Sequence, residues 1–347
     1  MAGASREALP WCDRAPGAGT DPGRVRPGDD RRSRRKRRSR TRPFIEAYTR
    51  RSTVSGVPNP MKQVSLKSAA VEVDILPEVG ARLHRLRAFG RDILRAPANP
   101  EEHIRDPFFW GGYTMAPWCG RVDAGPVKVA NRQLALRSNF RDGSAIHGQV
   151  YAVPWEVLDE GRFRVRGGGD AWPWPYEVTL QVGLEDTSVR LDYALTNSSD
   201  EPMPAGLGIH PWFLRPLRVA IRATGVYSPN WATPVRAVQV AGPFDLREVR
   251  EMPPDLDATW TELADPPVEL EWPAAGVRST MRAAAESLVI VAASPGDVDA
   301  VAIEPQTHAP QGLRRLADGE PDAMTLLDPG TSFRLSVELS FERTAAS

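Results

Sequence analysis

The sequence has 347 residues, 41% of them hydrophobic, so it can bury a large core in one or two domains. No apolar run approaches the ~20 residues that a membrane helix needs, and the N-terminus lacks the apolar core of a secretory signal, which predicts a soluble cytoplasmic protein. The two cysteines, Cys12 and Cys119, lie in regions of very different composition, which excludes a disulfide framework and a cysteine-rich zinc site.

Residues 1–60 are rich in Gly, Pro, Arg and Ser and include the basic run RRSRRKRRSR. They carry 15 Lys and Arg against 6 Asp and Glu, whereas the rest of the chain has a net charge of −9. A segment with this charge and no apolar periodicity is expected to be solvated and disordered. Because Met61 directly precedes the first strand pattern, we interpret the segment as a dispensable leader or a result of start-site choice, and not as a nucleic-acid-binding arm.

From Met61 onward the dominant period of hydrophobicity is two, which is typical of strands with one buried face. The clearest case is a hairpin in which residues 178–184 and 189–195 alternate on either side of the turn 185–188. In a second hairpin, alternation predicts that Val127 and Val129 face Leu134 and Leu136 across Asn131-Arg132. Further strands are predicted from the same pattern at residues 71–75, 80–83, 268–272, 277–281, 287–292, 299–303 and 333–341.

Helical periodicity is restricted to a short turn near residues 312–317. Many strands joined by Gly- and Pro-containing turns, with 33 prolines in the chain, predict a large antiparallel sandwich. We expect one domain over residues 61–345, without the βαβ alternation of a nucleotide-binding fold.

The stretch GLGIHPWF, residues 206–213, places one titratable ring on a constrained backbone. Gly206 and Gly208 allow a close approach of the backbone, and Pro211 biases His210 toward an extended conformation. Imidazole has a pKa near neutrality, so a rigid, half-buried histidine beside aromatic rings is a candidate proton donor or acceptor. The alternative, equally compatible with the octapeptide, is a structural histidine at a strand end.

Three further segments carry polar side chains beside strands. His147 lies in the segment AIHGQVYAVPW, and Arg121 lies in APWCGRVDAG, where its guanidinium could donate paired hydrogen bonds to vicinal hydroxyls. Glu304 follows the apolar run 301–303, where partial burial would raise its pKa toward that of a useful base. The alternative for Arg121 is a surface salt bridge, and for Glu304 it is a strand-end carboxylate in solvent.

In this order on an all-β chain, the segments PWCGRVDAG, IHGQVYAVPW, GLGIHPWF and AIEPQT resemble those of the aldose 1-epimerases, the galactose mutarotase family. The resemblance implies a galactose mutarotase-like β-supersandwich and the interconversion of the α and β anomers of a free hexose. It implies that Glu304 is the catalytic base and His210 the catalytic acid. By the same resemblance, His147 binds near the ring oxygen, Arg121 matches the family's Asn-Arg-Ile arginine, and Asp257 matches its substrate-binding aspartate.

Two positions depart from the family pattern. Gly120 replaces the usual asparagine before the arginine, and Trp212 stands where tyrosine is common. These changes leave the acid and the base in place, and they leave the preferred sugar open.

The same chemistry follows from the residue types. Opening a hemiacetal requires removal of the anomeric hydroxyl proton and protonation of the ring oxygen, followed by rotation about C1–C2 and reclosure. One carboxylate and one protonated imidazole suffice, each contributing about 10²–10⁴-fold, so neither a metal nor a nicotinamide is required. Four aromatic side chains are expected to offer flat faces to the C–H edges of the sugar: Trp118, Tyr151, Trp155 and Trp212. Three polar side chains are expected to bind its hydroxyls: Arg121, Asp257 and Gln306.

Three alternatives remain open at this point. A hexose-6-phosphate epimerase would use the same acid and base but needs cations for the phosphate, which three arginines could supply: Arg215, Arg218 and Arg236. A non-catalytic sugar-binding or regulatory domain would share the fold but has no need of an acid–base pair. A zinc site formed by His147, His210 and Glu304 is disfavoured because no two histidines have the short spacing HxH or HxxxH.

Overall fold

The computed structural model describes residues 61–123, 125–169, 171–227 and 236–345. The predicted basic leader, residues 1–60, lies outside the described residues. The chain from Met61 onward groups into one unit. None of the helices in the described ranges is long and apolar enough to cross a membrane.

Twenty-four β-strands and two short α-helices are assigned in the described residues. The strands are β1 Val64–Lys67, β2 Val71–Leu76, β3 Arg82–Ala88, β4 Arg91–Asp92, β5 Gly112–Met115, β6 Arg121–Val122, β7 Val127–Val129, β8 Arg132–Leu134, β9 Ala145–Ile146, β10 Glu156–Asp159, β11 Arg162–Gly169, β12 Trp172–Leu184, β13 Ser188–Asn197, β14 Met203–Ala205, β15 Gly208–Leu214, β16 Arg218–Tyr227, β17 Val238–Gln239, β18 Arg250–Glu251, β19 Asp257–Trp272, β20 Val277–Ala284, β21 Val289–Ala293, β22 Ala300–Gln306, β23 Thr325–Leu327 and β24 Ser332–Arg343. The helices are α1 Glu102–Arg105 and α2 Gly312–Asp318.

Eighteen of these strands form one antiparallel sheet, and the long strand β19 is where the sheet divides. The first half of β19 pairs with β21, and the chain of neighbours continues through β22, β15, β5, β3 and β2 to β1. Its second half pairs with β20, and the neighbours continue through β24, β13, β12 and β11 to β10. The sheet therefore has two branches that share β19, and one hydrophobic core contains side chains from both. This is the antiparallel all-β architecture that the sequence predicts.

The predicted hairpin of β12 and β13 is confirmed, with Leu184 opposite Val189 and alternate side chains buried along both strands. The helical turn and the last strand also lie where the periodicity places them, in α2 and β24. The periodicity of hydrophobic residues predicts these strands and this helix well because each has one face in the core and one face toward solvent.

The predicted turn of the second hairpin is one residue too late, so each predicted cross-strand partner is wrong by two residues. Val127 pairs with Leu134 and Val129 pairs with Arg132, so the turn is Ala130-Asn131 and Leu136 lies beyond the strand. Ala130 and Asn131 have φ values of 48° and 58°. Two consecutive left-handed residues are typical of the tight two-residue turn that joins twisted antiparallel strands.

Candidate active site

Strand β15 carries His210 between two neighbours, β5 and β22. His210 pairs with Tyr113 of β5, and β22 places Glu304 on the other side. The register against β22 is fixed by two flanking pairs, Gly208 with Gln306 and Trp212 with Ala302. Residues in the same cross-strand row project to the same face of a sheet. The pairing of three strands therefore brings Tyr113, His210 and Glu304 side by side.

Glu304 and His210 are in direct contact. The His210 Nε2 atom lies 3.2 Å from Glu304 Oε1, and Gln306 Nε2 donates a hydrogen bond of 2.8 Å to Glu304 Oε2. His210 is 6% exposed and Glu304 2% exposed. Neither lies at a strand end: β22 continues through Glu304 to Gln306, where the sequence predicts that the strand stops at residue 303.

The imidazole of His210 is held by rings on several sides. Tyr113 stacks on it with a centroid distance of 4.7 Å, Trp212 lies at 5.0 Å, and His147 meets it edge-on at 5.1 Å. Among the described residues, the Nδ1 atoms of His147 and His210 are buried and have no hydrogen-bond partner.

A buried arginine packs against Tyr113, the residue that stacks on His210. Arg82 is fully buried, and its guanidinium carbon lies 4.7 Å from the centre of the Tyr113 ring. It donates hydrogen bonds to the carbonyl oxygens of Pro107, Trp110 and Tyr151. Its partners are thus backbone groups of two segments that reach the site, one with Tyr151 and one with Phe108, whose ring lies 5.2 Å from that of Tyr151.

Arg121 and His147 come together because short strands β6 and β9 pair, with Arg121 opposite Ile146. The His147 amide then donates to the carbonyl of Gly120 at 3.0 Å. His147 has a φ of 60°, and a Cβ at Gly148 would lie 1.9 Å from the carbonyl oxygen of Ala116. A glycine is therefore required at position 148 by a tight turn against the loop that precedes Arg121, and His147 takes the left-handed conformation next to it.

Two carboxylates accompany Arg121. Its Nε donates to Asp142 Oδ2 at 2.8 Å, and its Nη1 lies 4.0 Å from Asp257 Oδ2. The side chain of Arg121 is 13% exposed and that of Asp257 is 10% exposed. The contact with Asp257 is largely buried, whereas Asp142 is an exposed residue, so the pair of Arg121 and Asp142 keeps part of the character of the surface salt bridge considered from the sequence.

The predicted aromatic residues divide into two groups. Trp118 packs against Trp172 and Trp155 donates to the carbonyl of Val150, so both belong to the core. Tyr151 lies beside Tyr113 at 6.0 Å and accepts a hydrogen bond from Asn139, and Trp212 flanks His210. The structure thus brings together eight predicted residues around one site: Arg121, His147, Tyr151, His210, Trp212, Asp257, Glu304 and Gln306.

Sequence reasoning missed Tyr113, Asp142 and Arg82. Tyr113 lies in a strand that is buried at all four positions, so no alternation marks it. Asp142 precedes a glycine and accepts hydrogen bonds from the backbone and side chain of Ser144, which in the sequence indicates only a turn. Arg82 lies in the stretch 80–83 that the sequence predicts as a strand, and it opens β3, which runs from residue 82 to residue 88, but nothing in its neighbours indicates burial.

Burial shifts the proton affinities of the contacting pair in opposite directions. Burial, and then the charge of Asp257, raise the pKa of Glu304 well above its ordinary value, while the hydrogen bond from Gln306 and the charge of Arg121 oppose the increase. Burial lowers the pKa of His210 to about 3, helped by the charges of Arg82 and Arg121. Both shifts favour a pair with no net charge, in which Glu304 and His210 together hold one proton.

The histidines are expected to make the protein acid-sensitive. All five are buried, and burial lowers the pKa of each from 6.5: His84, His103, His147, His210 and His308. A group with a lowered folded-state pKa stabilises the fold above its unfolded pKa and loses that contribution as the pH falls. Each such imidazole changes the free energy of unfolding by about 1.4 kcal/mol per pH unit below that value. Glu304 acts in the opposite direction, but it is a single group.

Denaturant unfolding at about pH 7.5 and about pH 5.5 should therefore give a free energy of unfolding several kcal/mol smaller at the lower pH. His210→Asn is expected to reduce the difference by the contribution of one imidazole. Equal free energies of unfolding at the two pH values would contradict the argument.

Two of the alternatives can be compared with these positions. In the described part of the chain, no group of three or more His, Cys, Asp or Glu side chains could hold a metal ion, so the geometry gives no support to a zinc triad. Arg215 and Arg218 line a groove with Glu251 and Asp299. Arg215 lies five residues beyond His210 in chain order, about 16 Å along an extended strand, so these two arginines are not beside the acid–base pair.

The comparisons with known proteins agree with this description. The family model for aldose 1-epimerase matches residues 62–340. Among solved structures, the chain resembles an Escherichia coli K12 protein provisionally named an aldose 1-epimerase, with 19% identity, a TM-score of 0.70, and coverage of 81% of this chain and 99% of that one. No curated protein sequence matches the chain significantly.

Two further structures have the same fold. One is the GalM/aldose epimerase homologue from C. elegans, with 16% identity, a TM-score of 0.69, and coverage of 82% of this chain and 99% of that one. The other is a galactose mutarotase-like protein from Clostridium acetobutylicum, with 18% identity, a TM-score of 0.68, and coverage of 81% and 95%. The predicted galactose mutarotase-like fold is thereby confirmed.

Proposed function

Because the chain belongs to the aldose 1-epimerase family, we propose that it catalyses the interconversion of the α and β anomers of a free hexose. The proposal assigns this activity to residues 61–345, a range supported by the family match over residues 62–340. The observation that carries it is the 3.2 Å contact between His210 Nε2 and Glu304 Oε1. In a hemiacetal the anomeric hydroxyl and the ring oxygen are bonded to the same carbon, so a base and an acid that serve them must be neighbours.

In the proposed mechanism Glu304 takes the proton of the anomeric hydroxyl while His210 gives its proton to the ring oxygen. The C1–O5 bond breaks and C1 becomes an aldehyde carbon. Rotation about C1–C2 presents the other face of the carbonyl, and the reverse proton transfers close the ring. The pair holds one proton before and after each cycle, which matches the overall neutrality that burial favours.

The reactive form requires that the shared proton lie on His210 and that Glu304 be ionised. The amide of Gln306 donates to the carboxylate, and the positive charge of Arg121 lowers its pKa, so both favour the ionised form. The hydroxyl of a bound sugar would add another donor to the same carboxylate. Arg121, Asp257 and His147 stand around the pair and are proposed to bind further sugar oxygens.

The proposal is tested by polarimetry on freshly dissolved α-D-glucose and α-D-galactose, together with their 6-phosphates. Acceleration over the spontaneous rate is expected for at least one free hexose, with a smaller effect on the phosphates because Arg215 and Arg218 lie away from the pair. A stronger effect on the phosphates would favour the hexose-6-phosphate alternative. Sugar binding without acceleration would favour the non-catalytic alternative.

A further inference from the structure

The side-chain amide of Gln306 has two ends with different surroundings. Its nitrogen donates to Glu304 Oε2, which is the orientation that the reactive form needs, because a carboxylate that is ionised to act as the base can only accept hydrogen bonds. Its carbonyl oxygen therefore faces the other way. A Cβ built on Gly120 would lie 3.8 Å from this oxygen and would meet no other atom within 4 Å. An acceptor thus faces open space beside the catalytic base.

The backbone that borders this space is held in place. Gly120 is followed directly by Arg121, and its carbonyl accepts the amide hydrogen of His147 at 3.0 Å. The preceding residue, Cys119, donates its amide hydrogen to Nε2 of the buried His308 at 3.0 Å. The gap between Gly120 and Gln306 is therefore a fixed feature of the candidate site.

The position of this gap relative to the acid and the base identifies the part of a sugar that would enter it. The anomeric carbon has three heavy-atom neighbours: the anomeric oxygen, the ring oxygen and C2. In the proposed function Glu304 serves the first and His210 the second. Gln306 contacts the carboxylate oxygen that His210 does not contact, so it borders the base on the side away from the acid. The remaining neighbour, C2, is assigned to that side because neither the base nor the acid serves it.

We propose that Gln306 Oε1 and the space at Gly120 form a subsite for the C2 substituent, and that this subsite takes a hydrogen-bond donor, either a hydroxyl or the larger acylamino group. The proposal rests on the proposed function. It predicts that 2-acetamido-2-deoxyhexoses are substrates together with the parent hexoses. Sugars without a C2 donor are poor substrates because they leave a buried acceptor without a partner.

The first test compares kcat/KM of the wild-type protein for three α-anomers: D-glucose, 2-deoxy-D-glucose and N-acetyl-D-glucosamine, with the galacto series in parallel. We expect a loss of about tenfold or more for the 2-deoxy sugar, and a value for the N-acetyl sugar within about tenfold of the parent. If no sugar is accelerated, the proposed function itself fails. If parent and 2-deoxy sugars react equally well, or the N-acetyl sugar is rejected, only the C2 subsite fails.

Two variants test separately the hydrogen-bond acceptor of Gln306 and the open space at Gly120. Gln306→Met removes the acceptor and should bring the ratio of kcat/KM for parent and 2-deoxy sugar close to one, whatever happens to the absolute rates. Gly120→Asn should lower activity toward the N-acetyl sugar at least about tenfold more than toward the parent, since asparagine tolerates the φ of 57° but fills the space. Because each ratio is measured within one variant, a general loss of stability or activity cancels. Unchanged ratios in either variant would overturn the proposal.

Discussion

Glu304→Gln is expected to lower kcat for mutarotation at least about a hundredfold, the lower end for loss of a general base. The amide preserves the shape of the side chain but cannot accept the proton of the anomeric hydroxyl. Its oxygen can still accept the hydrogen bond from Gln306, and its nitrogen can donate to the neutral ring of His210. Polarimetry with the spontaneous rate subtracted measures the loss.

The same variant should keep its stability or gain some at neutral pH. Burial raises the pKa of Glu304, so its contribution to stability is present at low pH and is lost as the pH rises through the folded-state pKa. The neutral amide has no such loss. Glu342→Gln provides a control, because it makes the same chemical change at an exposed position on β24 and should leave kcat unchanged. Near-normal mutarotation by Glu304→Gln would refute the base assignment and favour a non-catalytic sugar binder.

The fold was predictable from the sequence where a strand has one buried face. The hairpin of β12 and β13 alternates over its whole length, and its register follows directly. Strands that are buried on both faces lack the alternation of apolar and polar residues, so their bounds are harder to predict. Every residue of β22 is buried, and the apolar run alone predicts a strand that stops at residue 303, although pairing with β15 and β21 carries it through Gln306.

The sequence predicts which segments contribute to the candidate site, but it does not predict how these segments are placed relative to one another. His210 and Glu304 lie in motifs that resemble the family, yet their contact depends on the pairing of β15 with β22, two strands far apart in the chain. No local pattern encodes that pairing. Tyr113 was missed for the same reason, since only the register of β5 against β15 places its ring on His210.

His210→Asn is expected to lower kcat by about a hundredfold or more with a much smaller change in KM, because asparagine cannot give a proton to the ring oxygen. The substitution also removes the stacking on Tyr113 and the contact with Glu304, so a modest decrease in melting temperature is expected. His84→Asn is the matched control: it replaces another buried histidine, one that contacts His103, and should lower stability without this loss of kcat.

The pH dependence distinguishes the role of His210 as an acid from a role in binding. In the wild type the active form of the pair holds one proton, so kcat/KM should fall at low pH, where Glu304 is protonated as well, and at high pH, where His210 has lost its proton. His210→Asn leaves only Glu304, so the residual activity should rise with pH and then stay level, without the alkaline decrease. A variant that retains the bell-shaped profile, or that raises KM at unchanged kcat, would show that His210 binds the sugar and that another group supplies the proton.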